Sequence, residues 1–285
     1  EEGEKVSAIL AVREFPEDQY VFFATAQGMV KKVQLSAFKN VRSQGIKAIA
    51  LKEGDYLVGA AQTSGSDDIM LFSNLGKAIR FNEYWEKTGN DEAEDADIET
   101  EISDDLEDET ADNENALPSG KHGVRPSGRG SGGLRGMRLP ADGKIVSLIT
   151  FAPEAAQSDL QVLTATANGY GKRTPIADYS RKNKGGQGNI AINTGERNGD
   201  LVAATLVGET DDLMLITSGG VLIRTKVEQI RETGRAAAGV RLINLDEGEQ
   251  LVSLERVAEE PEDASASDEE NTTESNVTTE DNTPQ

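Results

Sequence analysis

The chain has 285 residues, with 29 Lys/Arg against 51 Asp/Glu, a formal net charge of −22 and no cysteine. The missing cysteines exclude a disulfide framework and a thiolate metal site, and no apolar stretch approaches the roughly 18 residues of a membrane-spanning helix. The charge is concentrated: residues 85–123 hold 15 acids and two Lys, residues 258–285 hold 10 acids and no base, and the remainder is close to neutral with 27 Lys/Arg and 26 Asp/Glu.

Taken in chain order, Gly3-Glu4 followed by VSAILAV looks like the close of a repeat, with no signal-peptide pattern before it. VFFATAQGMVKKV then predicts a β-hairpin turning at Gly28, and IMLFSNLGKAIRF a second turning at Gly76. Residues 85–123 are too acidic and too poor in apolar side chains to offset the entropy of ordering, so a disordered insert is expected there. QVLTATANGYGKRT predicts a third hairpin, with Asn168-Gly169 as a two-residue turn of positive φ, and LMLITSGGVLIRT a fourth, turning at Gly220. Residues 258–285 read as an acidic disordered tail. Insert and tail serve either as solubilising segments or as polyanions that compete with nucleic acid for the body's basic surface.

The four hairpins form a repeat. Each has a Thr or Ser three residues before the turn glycine and a cation four after it: Lys32, Arg80, Arg173 and Arg224. A second glycine opens another apolar run after each hairpin (Gly45-Ile46-Lys47, Gly136-Met137-Arg138, Gly188-Asn189-Ile190, Gly239-Val240-Arg241), and a third precedes a Val-containing strand (Gly54, Gly143, Gly199, Gly248). The turn glycines lie 48, 93 and 51 residues apart, and without the 39-residue insert the long interval is 54. A period near 50 with short strands and no long helical pattern fits a propeller blade of about four strands. The expected fold is all-β and β-propeller-like, with about four complete four-stranded blades across residues 1–257, interrupted by the insert.

Strand alternation puts the residue four after each turn glycine on one face of its blade. Two readings follow: a ring of surface cations, or side chains that pack their stems across a blade edge. The candidate polyanion-contacting residues are Lys31, Lys32, Arg80, Lys172, Arg173 and Arg224 on the hairpins. On the glycine-rich connections they are Arg42, Lys47, Arg125, Arg129, Arg135, Arg138, Arg181, Lys182, Lys184, Arg235 and Arg241. Residues 119–138 hold five Lys/Arg, His122 and no carboxylate, and glycines 185, 186 and 188 leave room for backbone N–H groups to approach phosphates.

Other motifs carry no chemistry. Gly128-x-Gly130-x-x-Gly133 lacks the βαβ setting of a dinucleotide fingerprint. His122 is the sole histidine, so no Ser-His-acid triad can form. The carboxylates at Asp104, Asp105, Glu107 and Asp108 are expected to be a polyanion and not a metal site. No catalysis and no cofactor is expected of these residues.

ATANGYGKRT, MLFSNLGKAIRF, ATAQGMVKK and ERNGDLVAA, in that setting, resemble the family of C-terminal domains of the DNA gyrase A protein, over nearly all of residues 4–258. The resemblance implies a six-bladed β-pinwheel of which about four blades are present. It also implies wrapping of double-stranded DNA by the candidate cations, in support of ATP-dependent negative supercoiling; scattered cations suit phosphate contact along a bent duplex better than base reading. The implied partners are the N-terminal breakage–reunion domain of gyrase A and the gyrase B protein, with ATP and Mg²⁺ on other domains and a cytoplasmic, nucleoid-associated setting. The family's Gln-x-x-Gly-Gly-x-Gly box does not occur in this sequence; residues 184–188 are a degenerate echo of it. The alternatives are the matching domain of topoisomerase IV and a protein-binding propeller without DNA contact.

Overall fold

In the computed structural model, residues 6–40, 42–86 and 123–257 are described; the expected disordered segments fall almost wholly outside them. Gly123 belongs to the body. It is buried against the Tyr84 carbonyl, and the Val124 N–H donates to the Glu83 carbonyl at 3.1 Å. The chain therefore re-enters the fold where it left it.

The described residues form fifteen strands, and every hairpin expected from sequence is present. The first repeat contributes β1 (Tyr20–Thr25), β2 (Met29–Gln34) and β3 (Leu57–Thr63). The second contributes β4 (Asp68–Ser73), β5 (Lys77–Asn82), β6 (Leu134–Arg135) and β7 (Ile145–Phe151). The third contributes β8 (Gln161–Thr166), β9 (Tyr170–Pro175), β10 (Asn189–Ile190) and β11 (Leu201–Val207). The fourth contributes β12 (Asp212–Thr217), β13 (Leu222–Lys226), β14 (Val240–Arg241) and β15 (Leu251–Val257).

Each hairpin pairs on its inner side with its own repeat's last strand, and the first three pair on their outer side with a two-residue strand from the following repeat. The sheets run β3-β1-β2-β6, β7-β4-β5-β10 and β11-β8-β9-β14. The fourth, β15-β12-β13, has three strands, because among the described residues no later connection reaches β13. The exchange register is constant: Met29↔Arg135, Lys77↔Ile190 and Tyr170↔Arg241. It also corrects the repeat alignment. Gly133, not Gly136, matches Gly188 and Gly239; all three have positive φ, and a Cβ on any of them would meet a strand carbonyl at 2.4–2.5 Å.

The turns also differ from expectation at one point. Asn168 does not have positive φ. Gly169 alone takes it, and its N–H closes on the Thr166 carbonyl in a three-residue loop. The Asn168 side chain is used elsewhere, donating to the carbonyls of Glu196 and Arg197. The recurrent Thr or Ser is explained by turn closure: the hydroxyls of Thr25, Ser73 and Thr217 accept the N–H of the residue after the turn glycine.

The sheets stack face to face, so both faces of an interior sheet are buried. Phe22 and Val30 of the first sheet pack on Ile69, Leu71 and Phe81 of the second. Met70 and Phe72 pack on Val162 and Leu201 of the third, and Leu163 and Ala165 on Leu213 and Leu215 of the fourth. Each fully buried side chain of this kind stabilises by about 1.5–3 kcal/mol, and nearly all of that arises between repeats.

Turn glycines lock neighbouring repeats together. The Gly76 carbonyl accepts the N–H groups of Ala191 and Ile192, while its φ is +73° and a Cβ would lie 2.3 Å from the Ile192 carbonyl oxygen. Gly76→Ala is expected to lower stability by about 2 kcal/mol, read from urea unfolding. Gly45→Ala, with similar φ and open space at Cβ, is expected to cost about 1 kcal/mol.

Candidate nucleic-acid interface

The hairpin cations do not form a surface track. Lys31, Lys32, Arg80, Lys172 and Arg173 are all buried: Lys32, Arg80 and Arg173 reach into the following repeat, and Lys31 and Lys172, on the opposite face, lie beneath the connections. The residue four after each turn glycine reaches forward into the next repeat. Lys32 Nζ donates to the Glu83 carbonyl at 2.8 Å and lies 3.6 Å from its carboxylate. Burial lowers the Lys32 ammonium's pKa against the pull of Glu83, and burial raises that of Glu83 against Lys32.

Arg80 donates through Nε and Nη2 to Asp68 at 2.9 and 2.6 Å and through Nη1 to the Tyr179 carbonyl at 2.9 Å. Asp68, 0% exposed, also receives Arg181 at 2.9 Å and the Asn82 amide at 2.9 Å. Arg173 Nε donates to the Ile230 carbonyl at 2.6 Å. Arg224 is the exception. It is 65% exposed and pairs with Asp212 of its own hairpin.

The residue three after the turn glycine is lysine in the first and third repeats, and it serves the connections. Lys31 Nζ donates to the carbonyls of Ala48, Arg129 and Ser131 at 3.0, 2.6 and 2.8 Å. Lys172 Nζ donates to the carbonyls of Gly234 and Arg235 at 2.8 and 2.9 Å and to Thr174 Oγ1 at 2.9 Å. Burial, with Lys47 and Arg129 nearby, pulls the Lys31 pKa down to about 8. Burial also brings Lys172 to about 8, opposed by Asp178 and reinforced by Arg235.

The connections carry the accessible charge. They cross the outer edge strands as β6, β10 and β14 and are hydrogen-bonded to one another. Ala50 N–H donates to the Ser131 carbonyl, Gly185 N–H to that of Gly136, Arg138 N–H to that of Gly186, and Asn193 N–H to that of Ala237. A continuous belt results. On it Arg42, Lys47, Arg135 and Arg241 are exposed, and Arg125, Arg129, Arg138, Arg181, Lys182, Lys184 and Arg235 are half-buried. Arg125 lies over the Trp85 ring at 5.8 Å and Arg235 over Tyr179 at 6.0 Å; burial lowers the pKa of Lys184.

Sequence reasoning passed over cations of the belt, among them the exposed Arg197 and Arg231. Arg197 stacks on Tyr170 at 4.4 Å, and Arg241 lies 5.3 Å from the same ring and donates to its hydroxyl at 2.8 Å. Both cations hold the Tyr170 hydroxyl's pKa below its usual value, Arg241 foremost. The available signal was position: Arg197 stands two residues before the third glycine landmark, and Tyr170 directly follows a turn glycine.

Stacked antiparallel sheets on a repeating unit, each completed by a strand from the next, define a β-propeller-class domain. The family model described as "DNA gyrase C-terminal domain, beta-propeller" matches residues 19–64, 67–84, 122–152, 161–207 and 211–258, and the chain belongs to that family. It is 93% identical over 265 residues to the DNA gyrase A protein of Neisseria gonorrhoeae, a match covering 93% of this chain and 29% of that protein. With the DNA gyrase A protein of Escherichia coli it is 40% identical over 259 residues, covering 91% and 25% respectively. The chain thus spans between a quarter and a third of the length of these relatives. Among solved structures it superposes on a DNA gyrase A C-terminal domain with a TM-score of 0.67 at 22% identity, covering 90% of this chain and 72% of the other. A topoisomerase IV C-terminal domain gives a TM-score of 0.67 at 21% identity, covering 86% and 64%.

Proposed function

We propose that the connection belt is a DNA-wrapping rim acting within a gyrase, where the breakage–reunion domain and gyrase B supply cleavage and ATP hydrolysis with Mg²⁺, in a cytoplasmic, nucleoid-associated setting. The carrying observation is the division of labour among cations. Those on the first three hairpins are consumed by carbonyls and carboxylates inside the fold, while the hydrogen-bonded belt presents Arg42, Lys47, Arg135, Arg197 and Arg241 to solvent. Smooth bending of 20–30 bp costs on the order of 1–6 kcal/mol, so many weak phosphate contacts along a rim suit the task. The 93% and 40% identities to gyrase A proteins favour gyrase over the topoisomerase IV alternative.

The test is salt dependence. The full chain is expected to bind duplex DNA at low salt, with log affinity falling against log salt by about 0.9 for each phosphate neutralised, so a slope steeper than about −4 if five belt cations engage. Absence of binding at low salt, or a slope near zero, would favour a protein-binding scaffold.

A further inference from the structure

Two connections hold an arrangement that the rim's net charge does not explain. The Lys31 ammonium gathers the carbonyls of Arg129 and Ser131 from below, and Lys172 gathers those of Gly234 and Arg235. Both lysines are buried, at 1% and 0% exposure. A trans peptide points its C=O and the following N–H in opposite directions, and no described peptide is cis. Carbonyls drawn inward therefore turn the N–H groups of Gly130, Gly132, Arg235 and Ala236 away from the ammonium. None of these four N–H groups donates to a protein acceptor among the described residues. Gly130 and Ala236 are exposed, and a Cβ at Gly130 would meet nothing within 4 Å.

The second repeat supplies an internal contrast. Ile79 stands where the lysine would be, and there the Gly185 N–H is spent on the Gly136 carbonyl at 2.7 Å. Gly185 is therefore unavailable to a phosphate, contrary to what its sequence setting suggests.

We propose that Gly130 with Gly132, and Arg235 with Ala236, form two phosphate seats whose outward N–H pairs are held in place by Lys31 and Lys172. Each seat has two backbone donors, successive at Arg235 and Ala236 and one residue apart at Gly130 and Gly132, with a buried lysine beneath them; main-chain N–H groups turned outward together bind anions, and hydrogen bonds to a charged acceptor are the stronger ones. The seats rest on the wrapping assignment above and add to it fixed points of contact, at which the duplex backbone meets rigid main chain in place of mobile side chains. The ligand is a phosphodiester of duplex DNA.

Proline removes an N–H without touching the buried lysine, and alanine at the same place keeps it. In the full chain, Gly130→Pro and Ala236→Pro are each expected to bind duplex DNA at low salt about three- to tenfold more weakly than Gly130→Ala and Ala236→Ser, which keep the N–H at the same place. Lys31→Met and Lys172→Met are expected to weaken binding similarly, with far-ultraviolet circular dichroism confirming the fold. Amide resonances of the four residues should shift on adding duplex DNA, and inorganic phosphate at matched ionic strength should reproduce part of the shift. Equal affinity of the proline and alanine variants overturns the seats while leaving the rim in place. Shifts with inorganic phosphate and none with DNA overturn the DNA assignment. Failure of the parent chain to bind DNA at all overturns the wrapping assignment itself.

Discussion

Asp68→Ala is expected to destabilise the chain by about 3–5 kcal/mol, the largest effect of any single substitution discussed. Asp68 is fully buried and receives hydrogen bonds from Arg80, Arg181 and Asn82. Removing it leaves Arg80, itself 7% exposed, with a desolvated guanidinium and only carbonyl partners. The fourth repeat provides a matched control. Asp212 stands twelve residues before Arg224 just as Asp68 stands twelve before Arg80, and the same ion pair forms, but Arg224 is 65% exposed. Asp212→Ala is expected to cost about 0–1 kcal/mol, because solvent screens the pair. Urea unfolding of both variants at neutral pH checks this. Equal costs would mean that burial between repeats is not what gives the pair its importance.

Charge reversal on the belt is expected to have the largest effect on binding. Arg135→Glu with Arg241→Glu should reduce DNA affinity at low salt by about tenfold or more and flatten the log–log salt slope by about 2, since each removes one phosphate contact and adds repulsion. Arg135 and Arg241 occupy equivalent register positions, opposite Met29 and Tyr170, and both are exposed. Stability should change by less than about 0.5 kcal/mol, as for other surface substitutions. Unchanged affinity, or a loss of affinity that tracks a loss of stability, would remove these arginines from the interface.

The hairpins, their period and the stacked-sheet architecture were legible in the sequence because their determinants are local. A turn glycine, a Thr or Ser that closes the turn and two flanking apolar runs lie within a dozen residues. The strand exchange was not legible. Val30 pairs with Leu134, across more than a hundred residues and an acidic insert, and nothing within either segment announces the partner. That omission also explains the displaced alignment of Gly136 for Gly133. The role of the hairpin cations failed for a related reason. Alternation gives the face of Arg80 or Arg173 correctly but cannot say that another repeat covers it, and a lysine bound to three oxygens, as Lys172 is, reads like one in water. The alternative that these side chains pack across a blade edge is the one the burial supports. The connection cations were found by their place on glycine-rich segments and, at residues 119–138, by density of charge. Arg197 was missed because it stands beside Glu196 and near Asp200, where charge density gives no signal.

Arginine-selective modification followed by peptide mass spectrometry, with and without duplex DNA at low salt, tests the partition of cations most directly. Arg135, Arg197 and Arg241 should react readily in the free chain and be protected by DNA, while Arg80 and Arg173 stay unreactive in both states. Protection absent from the first three, or DNA-dependent protection appearing at the second two, would contradict a belt that faces DNA over hairpins that hold the repeats together.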